Sequence, residues 1–579
     1  MHSKSIMAVC FILTLFAFAA IAPAQIGTQK VYQLDATPYD PAKDLDTNMF
    51  MAHWNESVPR AEHGNMIVRD VFTPNTSGDV FRPTTRGEVL KVLVNTSYGM
   101  LDVGLTTLPD KLDGIQKIFY TLSGTGTVTA GGITESLRKG VGVLMPEGLE
   151  FVISNTGDVP LTFYIPTEPI IGDFTPRTDI LVKDTNLRSY SGIQGHWTNM
   201  GRSLFGRDDG LCCITASTSV FLAPMQFAQP HAAIAEFIDV VWFAISGDTK
   251  TLLGKQLRDL PPGTGFVNPG DGRYYHSNIN TSEDEHINLL WLRAQNPLET
   301  RKDNPSDEIK KYYRLEYKPY DPEVDLAPRD FMSHWKNAVP RVEHGNLILR
   351  DIFTPNKSGD NFKPSSRGEV LRQLKSVSYG ILDTGLTTKA EKLVGEQKIF
   401  YILDGKGIIT AGKEKAEVKP GVAVLIPDGL TFSIENTGTK PLTMYIPCEP
   451  VPDGFKPRKD MLVRDGTTLP ITPRPSHWSN WDCSLFKKAD GLAYIMGMNT
   501  VRVAPMTVPE MHPANAPNND IVWFVRSGDP YSMLGKQFFH LEPGSGYVNP
   551  GDNRFNHGNV NISDDEFVKM IWVRTSTPR

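Results

Sequence analysis

The stretch QKIFYTLSG at residues 116–124 decides how this chain is read. It is a β-branched and aromatic run ending in a turn, and TVTAGG and GVGVLMPEGLEFVISNTGDVPLTFYI follow it closely. Short apolar strands cut by Gly, Pro and Asn-Thr-Gly turns predict an antiparallel barrel or sandwich. The theme returns at residues 239–247, DVVWFAISG, followed by LLGKQLRDLPPGTGFVNPGD and the strand INLLWLR. No long 3.6-residue apolar periodicity competes, so the fold class is all-β.

Working outward, the same stretch recurs as QKIFYILDG at residues 397–405. Trp54 matches Trp335, Lys117 matches Lys398, His276 matches His557 and Trp291 matches Trp572, all at an offset of 281 residues. Between residues 50–75 and 331–356, 18 of 26 positions are identical. The chain is therefore a duplication whose halves carry no net insertion between landmarks. Each half contains two strand-rich units, which predicts four barrels. The expected boundaries are 1–24 for a signal peptide and 25–180 for barrel 1 with an N-terminal arm. Barrel 2 takes 181–295, a linker 296–311, barrel 3 312–461 and barrel 4 462–579. The linker, NPLETRKDNPSDEIKK, is polar and charged with two prolines, as exposed boundaries are.

Composition excludes several classes. The chain is 40% hydrophobic and 21% charged, with a formal net charge of −6. No half is strongly basic, so no nucleic-acid partner is expected. His2 and Lys4, an apolar run over residues 6–21 and Ala22-Pro23-Ala24 form the pattern of a cleaved export signal, leaving Gln25 as the mature start. The protein is expected to be secreted or periplasmic, with no membrane span, because no later segment approaches the ~20 apolar residues a helix needs. The other half holds Ala493, Tyr494, Thr167 and Arg202 opposite Cys212, Cys213, Cys448 and Cys483. A disulfide framework common to both halves is thereby excluded, while a bridge within one half stays open.

These units resemble the cupin superfamily, and the resemblance covers most of the mature chain. It implies jelly-roll barrels in two bicupin halves. Usual members carry His-x-His with a following Glu, then Pro-x-Gly with a further His, and bind a divalent metal. In barrel 1 the resemblance puts Lys117 where the Glu belongs and Phe151 where the second-motif His belongs; barrel 3 repeats this with Lys398 and Phe432. A protonated Lys and a Phe are not ligands, so these barrels are expected to be metal-free.

In barrel 2, His231 and His276 fall at the places of the family histidines, as His512 and His557 do in barrel 4. Asp239 and Asp520 lie next to the expected Glu position, one residue early. A one-residue shift turns a strand side chain to the other face unless a bulge intervenes. The expected metal ligands are therefore His231, Asp239 and His276, and His512, Asp520 and His557, for Fe, Mn, Zn or Cu. Ten of the thirteen histidines pair at the offset, including His53/His334, His63/His344 and His196/His477. The arm segment before barrel 1 is either a structural lid or part of a site. In the second case Arg60 and His63, with Arg341 and His344, would grip an anion and move a proton. Two functions follow: a metal-dependent cupin acting on a small polar ligand such as a sugar or organic acid, or a non-catalytic binding or storage-type protein.

Overall fold

The structure is a computed structural model that describes residues 39–193, 196–228, 230–234, 238–269, 271–298, 320–323, 325–474, 477–509, 512–516 and 518–577. The expected signal peptide and most of the linker lie outside the described residues. Within them, strands and short 3-10 turns make up the regular structure, and no described helix is long and apolar enough to cross a membrane.

The strand that contains QKIFYTLS, Ile115–Ser123, sits in an antiparallel sheet between Val141–Met145 and Leu161–Pro169. A three-stranded sheet of Phe151–Asn155, Thr125–Ala130 and Ile133–Arg138 completes barrel 1. Alternation along the strand splits its side chains. Phe119 joins Val128, Phe151 and Phe163 inside the barrel. Ile118 and Tyr120 face the other way, into a core shared with Phe205, Val241, Phe243 and Leu292 of barrel 2. Tyr164 stacks on Phe243 across this joint with centroids 4.2 Å apart. The two barrels of a half thus share one apolar layer, and the second half repeats it around Tyr401, Tyr445 and Phe524.

The N-terminal arm belongs to both barrels of its half. Met51–His53 pairs with Thr264–Val267 of barrel 2, whereas Arg60–Glu62 pairs with Met66–Pro74 of barrel 1. The halves meet through barrels 2 and 4, where one nine-stranded sheet runs from Gln256–Leu260 to His512–Asn515. Leu257 donates its N–H to Met506 O at 2.9 Å, and Phe538 donates to Met225 O at 3.1 Å. These two bonds are exchanged by the 281-residue offset, so the joint is isologous, as in a two-fold dimer. Cys212, Cys213, Cys448 and Cys483 are buried and free, so no bridge forms among the described residues of either half.

Candidate functional site

Barrel 2 gathers imidazoles on a largely apolar floor. His276 lies on Asp271–Asn280 and is buried, with Leu253 as its neighbour across the sheet. Its ring centroid is 5.6 Å from that of His196, the buried first residue of His196–Gly206. Trp242 lies 5.4 Å from His196 and 6.3 Å from His276. Barrel 4 repeats the group, with His477 and His557 rings 6.4 Å apart and Trp523 6.5 Å from His557. The ladder pairs His231 directly with His276, and His512 with His557. The side chains of His231 and His512 lie outside the described residues. Sequence reading missed His196 and His477 as site members. Their retention in both halves was the available signal; their approach to His276 and His557 depends on tertiary structure.

Asp239 and Asp520 require a correction: neither is a metal ligand. Asp239 is fully buried and accepts the N–H groups of Lys91, Val92 and Leu93 at 2.8, 2.9 and 2.9 Å. Asp520 does the same for Arg372, Gln373 and Leu374 at 2.7, 2.9 and 2.8 Å. No bulge turns them inward: the irregularity in Ile238–Ser246 falls between Ala244 and Ser246. Val240 and Trp242 therefore face the barrel 2 core and Asp239 faces barrel 1. Glu168 returns the contact, accepting from Cys212, Cys213 and Ile214 of barrel 2. Each half is thus clamped by two reciprocal carboxylates, the second pair being Asp520 and Glu449. Burial pushes all four carboxyls up, and the N–H donors oppose it.

Barrel 1 holds a different cluster. Lys117 and Phe151 do point inward, and a tight turn brings His63 in beside them. His63 takes the left-handed conformation at φ 49°, followed by Gly64 at φ 79°, and its ring lies 5.0 Å from Phe151. Its Nδ1 meets Asp110 Oδ2 at 2.5 Å, and Lys117 Nζ lies 2.9 Å from Glu62 and 3.5 Å from His63 Nε2. An ammonium thus stands among the groups that would otherwise hold a cation. Burial and the nearby Lys117 keep His63 below its ordinary value. Barrel 3 repeats the arrangement with Lys398 on Glu343 and His344 on Glu391. The arginines are not open to an anion. Arg60 is bidentate to Asp70 and also pairs with Glu62, and Arg341 engages Asp351 and Glu343. Both arginines of the arm are thus held by carboxylates, while His63 and His344 reach into the barrels.

The fit of barrels 2 and 4 to a divalent metal is partial. Neutral imidazoles suit such a cation, but the expected carboxylates, Asp239 and Asp520, are engaged by backbone N–H groups elsewhere. Among the described residues no three His, Cys, Asp or Glu side chains group to hold one. Asn268 Nδ2 lies 2.6 Å from His276 Nδ1, and Asn549 Nδ2 lies 2.6 Å from His557 Nδ1. Asn549 Oδ1 already accepts from Gly551 N at 3.0 Å, so its amide nitrogen donates to the ring. A neutral His557 then carries its proton on Nε2. Ligation through Nε2 requires this amide to turn and accept from Nδ1 instead. The same floor offers groups to a polar ligand. Asn278, two residues from His276 and on its face, is fully buried, and among the described residues neither its amide atoms nor Trp242 Nε1 has a partner. In barrel 4 the equivalent Asn559 accepts from Ser532 and Tyr547.

Comparison with known proteins agrees with this architecture. Residues 387–447 match the cupin domain family. An uncharacterized protein of Methanocaldococcus jannaschii, MJ1618, is 34% identical over 111 residues, 19% of this chain and 78% of that protein. AerE from Microcystis aeruginosa is 10% identical with a TM-score of 0.32, covering 43% of this chain and 99% of its own. The oxalate decarboxylase formate complex of Lactobacillus farciminis is 11% identical with a TM-score of 0.33, covering 45% and 88%. With its strand order, its duplicated barrels and the match at barrel 3, this chain belongs to the cupin superfamily.

Proposed function

We propose that the protein is exported and that barrels 2 and 4 each bind a divalent metal and act on a small polar ligand. The observation carrying this reading is the buried approach of His196 to His276, repeated by His477 and His557. The register pairing of His231 and His512 with them supports a third imidazole at each site. A divalent cation bound there would supply Lewis-acid polarisation of a ligand oxygen. The chain's own part is to hold the imidazoles through Asn268 and Asn549, to exclude water with Trp242 and Trp523, and to offer the Asn278 amide to the ligand. An unsatisfied buried amide costs about 1–3 kcal/mol, which favours a polar partner there.

Metal analysis of purified, metal-reconstituted protein tests this directly. Two equivalents per chain are expected, falling to one in His276→Ala and to none in His276→Ala/His557→Ala, with the melting transition retained. Wild type that takes up no metal, or unchanged stoichiometry in the double variant, overturns it. The second reading, a metal-free binding protein, is favoured by the Asn549-to-His557 hydrogen bond, which places the imidazole proton on Nε2. Export is tested by N-terminal sequencing of the mature protein, expected to begin at Gln25.

A further inference from the structure

A cavity of about 340 Å³ opens between barrels 3 and 4, away from the imidazole sites. Trp335, Tyr379, Asp404, Phe524, Arg526 and Lys569 are among its walls. Trp335 and Tyr379 stack with centroids 4.5 Å apart at 10°, forming a flat aromatic slab. Arg526 occupies the bulge between Val525 and Ser527, so its side chain leaves the regular alternation. Its guanidinium lies 4.9 Å over the ring of Tyr401. Arg502 pairs in register with Lys569, which neighbours Ser527 on the next strand. Arg526 and Lys569 thus share the cavity wall, and the exposed Arg502 stands beside Lys569 on the adjacent strand.

No carboxylate pairs with Arg502, Arg526 or Lys569 among the described residues, and Arg526 Nε is buried with no acceptor. That sets them apart from Arg60, Arg341 and Arg474, each of which is held by an acid. The one acid in the cavity wall, Asp404, is engaged by Lys440 at 2.5 Å. The first half keeps the aromatic slab, with Trp54 and Tyr98 centroids 4.4 Å apart. It has Phe221, Ile245 and Asn288 where the second half has Arg502, Arg526 and Lys569. The first half therefore builds the same fold without these three cations. A half-buried guanidinium with no acid partner has lost part of its hydration, and an anion would replace it.

We propose that this cleft is a binding site for a small oxyanion, a carboxylate or a phosphate, present in the second half alone. Arg526 presents its planar fork to the anion, Lys569 and Arg502 add charge, and the Trp335–Tyr379 slab packs against any organic part. Calorimetric titration of the full chain at low ionic strength, with inorganic phosphate in one arm and succinate in the other, tests it. One saturable site per chain is expected for at least one probe, and the arm that binds names the anion. Arg526→Ile and Lys569→Asn install the residues that the first half carries in the same fold. Each is expected to weaken binding about 10- to 100-fold, by loss of a charge-assisted bond, while metal content stays at the wild-type value. Arg526→Gln serves as a second variant should Arg526→Ile melt early. Absence of saturable binding for both probes overturns the proposal, as does unchanged affinity in a folded Arg526 variant.

Discussion

Replacing Asp239 by Asn separates a structural anchor from a metal ligand. The carboxylate accepts Lys91 N–H on Oδ1 and both Val92 and Leu93 N–H on Oδ2. An amide can keep its oxygen toward Val92 and Leu93, but it then turns an NH2 against the Lys91 N–H. One buried donor left unpaired costs about 1–3 kcal/mol, and two bonds lose their charge assistance, worth about 1 kcal/mol each. Against this, the neutral amide is spared the burial that pushes the Asp239 carboxyl up. The net loss is therefore expected near the lower end, about 2 kcal/mol, and larger for Asp239→Ala, which orphans all three donors. Asp520→Asn is expected to cost a similar amount, and the two should add because they lie in different halves. Urea unfolding followed by tryptophan fluorescence reads the midpoint, and elemental analysis of the same samples reads bound metal. A lower midpoint with unchanged metal is the expected result. A loss of metal with an unchanged midpoint would refute the reasoning and restore Asp239 as a ligand.

Further outcomes follow from the same geometry. Asn268→Asp with Asn549→Asp places an acceptor on Nδ1–H of each histidine and directs the Nε2 lone pair inward. If the metal reading holds, affinity rises by about 10- to 100-fold, measured by competition with a chelator. In barrel 1, acid should act in two steps. Burial and Lys117 hold His63 below its ordinary value of 6.5, so its contribution to stability is present above that pH and is lost as pH falls through the folded value. Glu62 is raised by burial but held below its ordinary value by Lys117 and Arg60, and its contribution is lost only at lower pH. His63→Gln should remove the upper limb of the stability–pH curve and leave the lower one. At the turn before it, a Cβ on Gly64 would lie 2.4 Å from Leu108 Cγ at φ +79°, so Gly64→Ala should lower stability by about 1–3 kcal/mol. Gly78→Ala, at φ +78° with nothing within 4 Å, should cost only about 1 kcal/mol.

The barrels were legible because each strand announces itself locally. In Ile115–Ser123 alternation sends Phe119 into one core and Ile118 and Tyr120 into another, and both patterns lie within nine residues. The candidate site was legible only where it rests on such local order. His276 fits the family pattern by spacing and is found buried in barrel 2, but Asp239 needed a bulge that the strand places elsewhere, between Ala244 and Ser246. The one-residue mismatch in its spacing to Gly247 was the true signal, since a period of two leaves no room for a compromise. His196 reaches His276 from a strand of the opposite sheet, and nothing local encodes a contact of that range. The ammonium of Lys117 amid Glu62, His63 and Asp110 likewise depends on a left-handed turn that His63-Gly64 permits but does not announce.

Within a duplicated chain, matched and mismatched positions carry different information. A match such as Trp54 with Trp335 is demanded twice by the same slab and reports on the fold. A mismatch such as Ile245 with Arg526 sits in the same backbone under the same packing, so the fold does not explain it. The first half shows that an apolar residue suffices there, and the second half places a half-buried guanidinium with no acid partner among the described residues. The same reasoning distinguishes barrel 2 from barrel 4. Beside Phe266 the Asn278 amide has no partner among the described residues, whereas Asn559 accepts from Tyr547 at 3.0 Å and from Ser532 at 2.7 Å. Phe266→Tyr should therefore fill the first interior with the second one's hydroxyl and weaken any ligand that depends on Asn278, while Tyr547→Phe should have a smaller opposite effect in barrel 4, because Ser532 still donates to Asn559. Crystals of both variants soaked in one polar ligand would show it; occupancy that ignores the exchange would mean the two interiors are equivalent and the mismatch is silent.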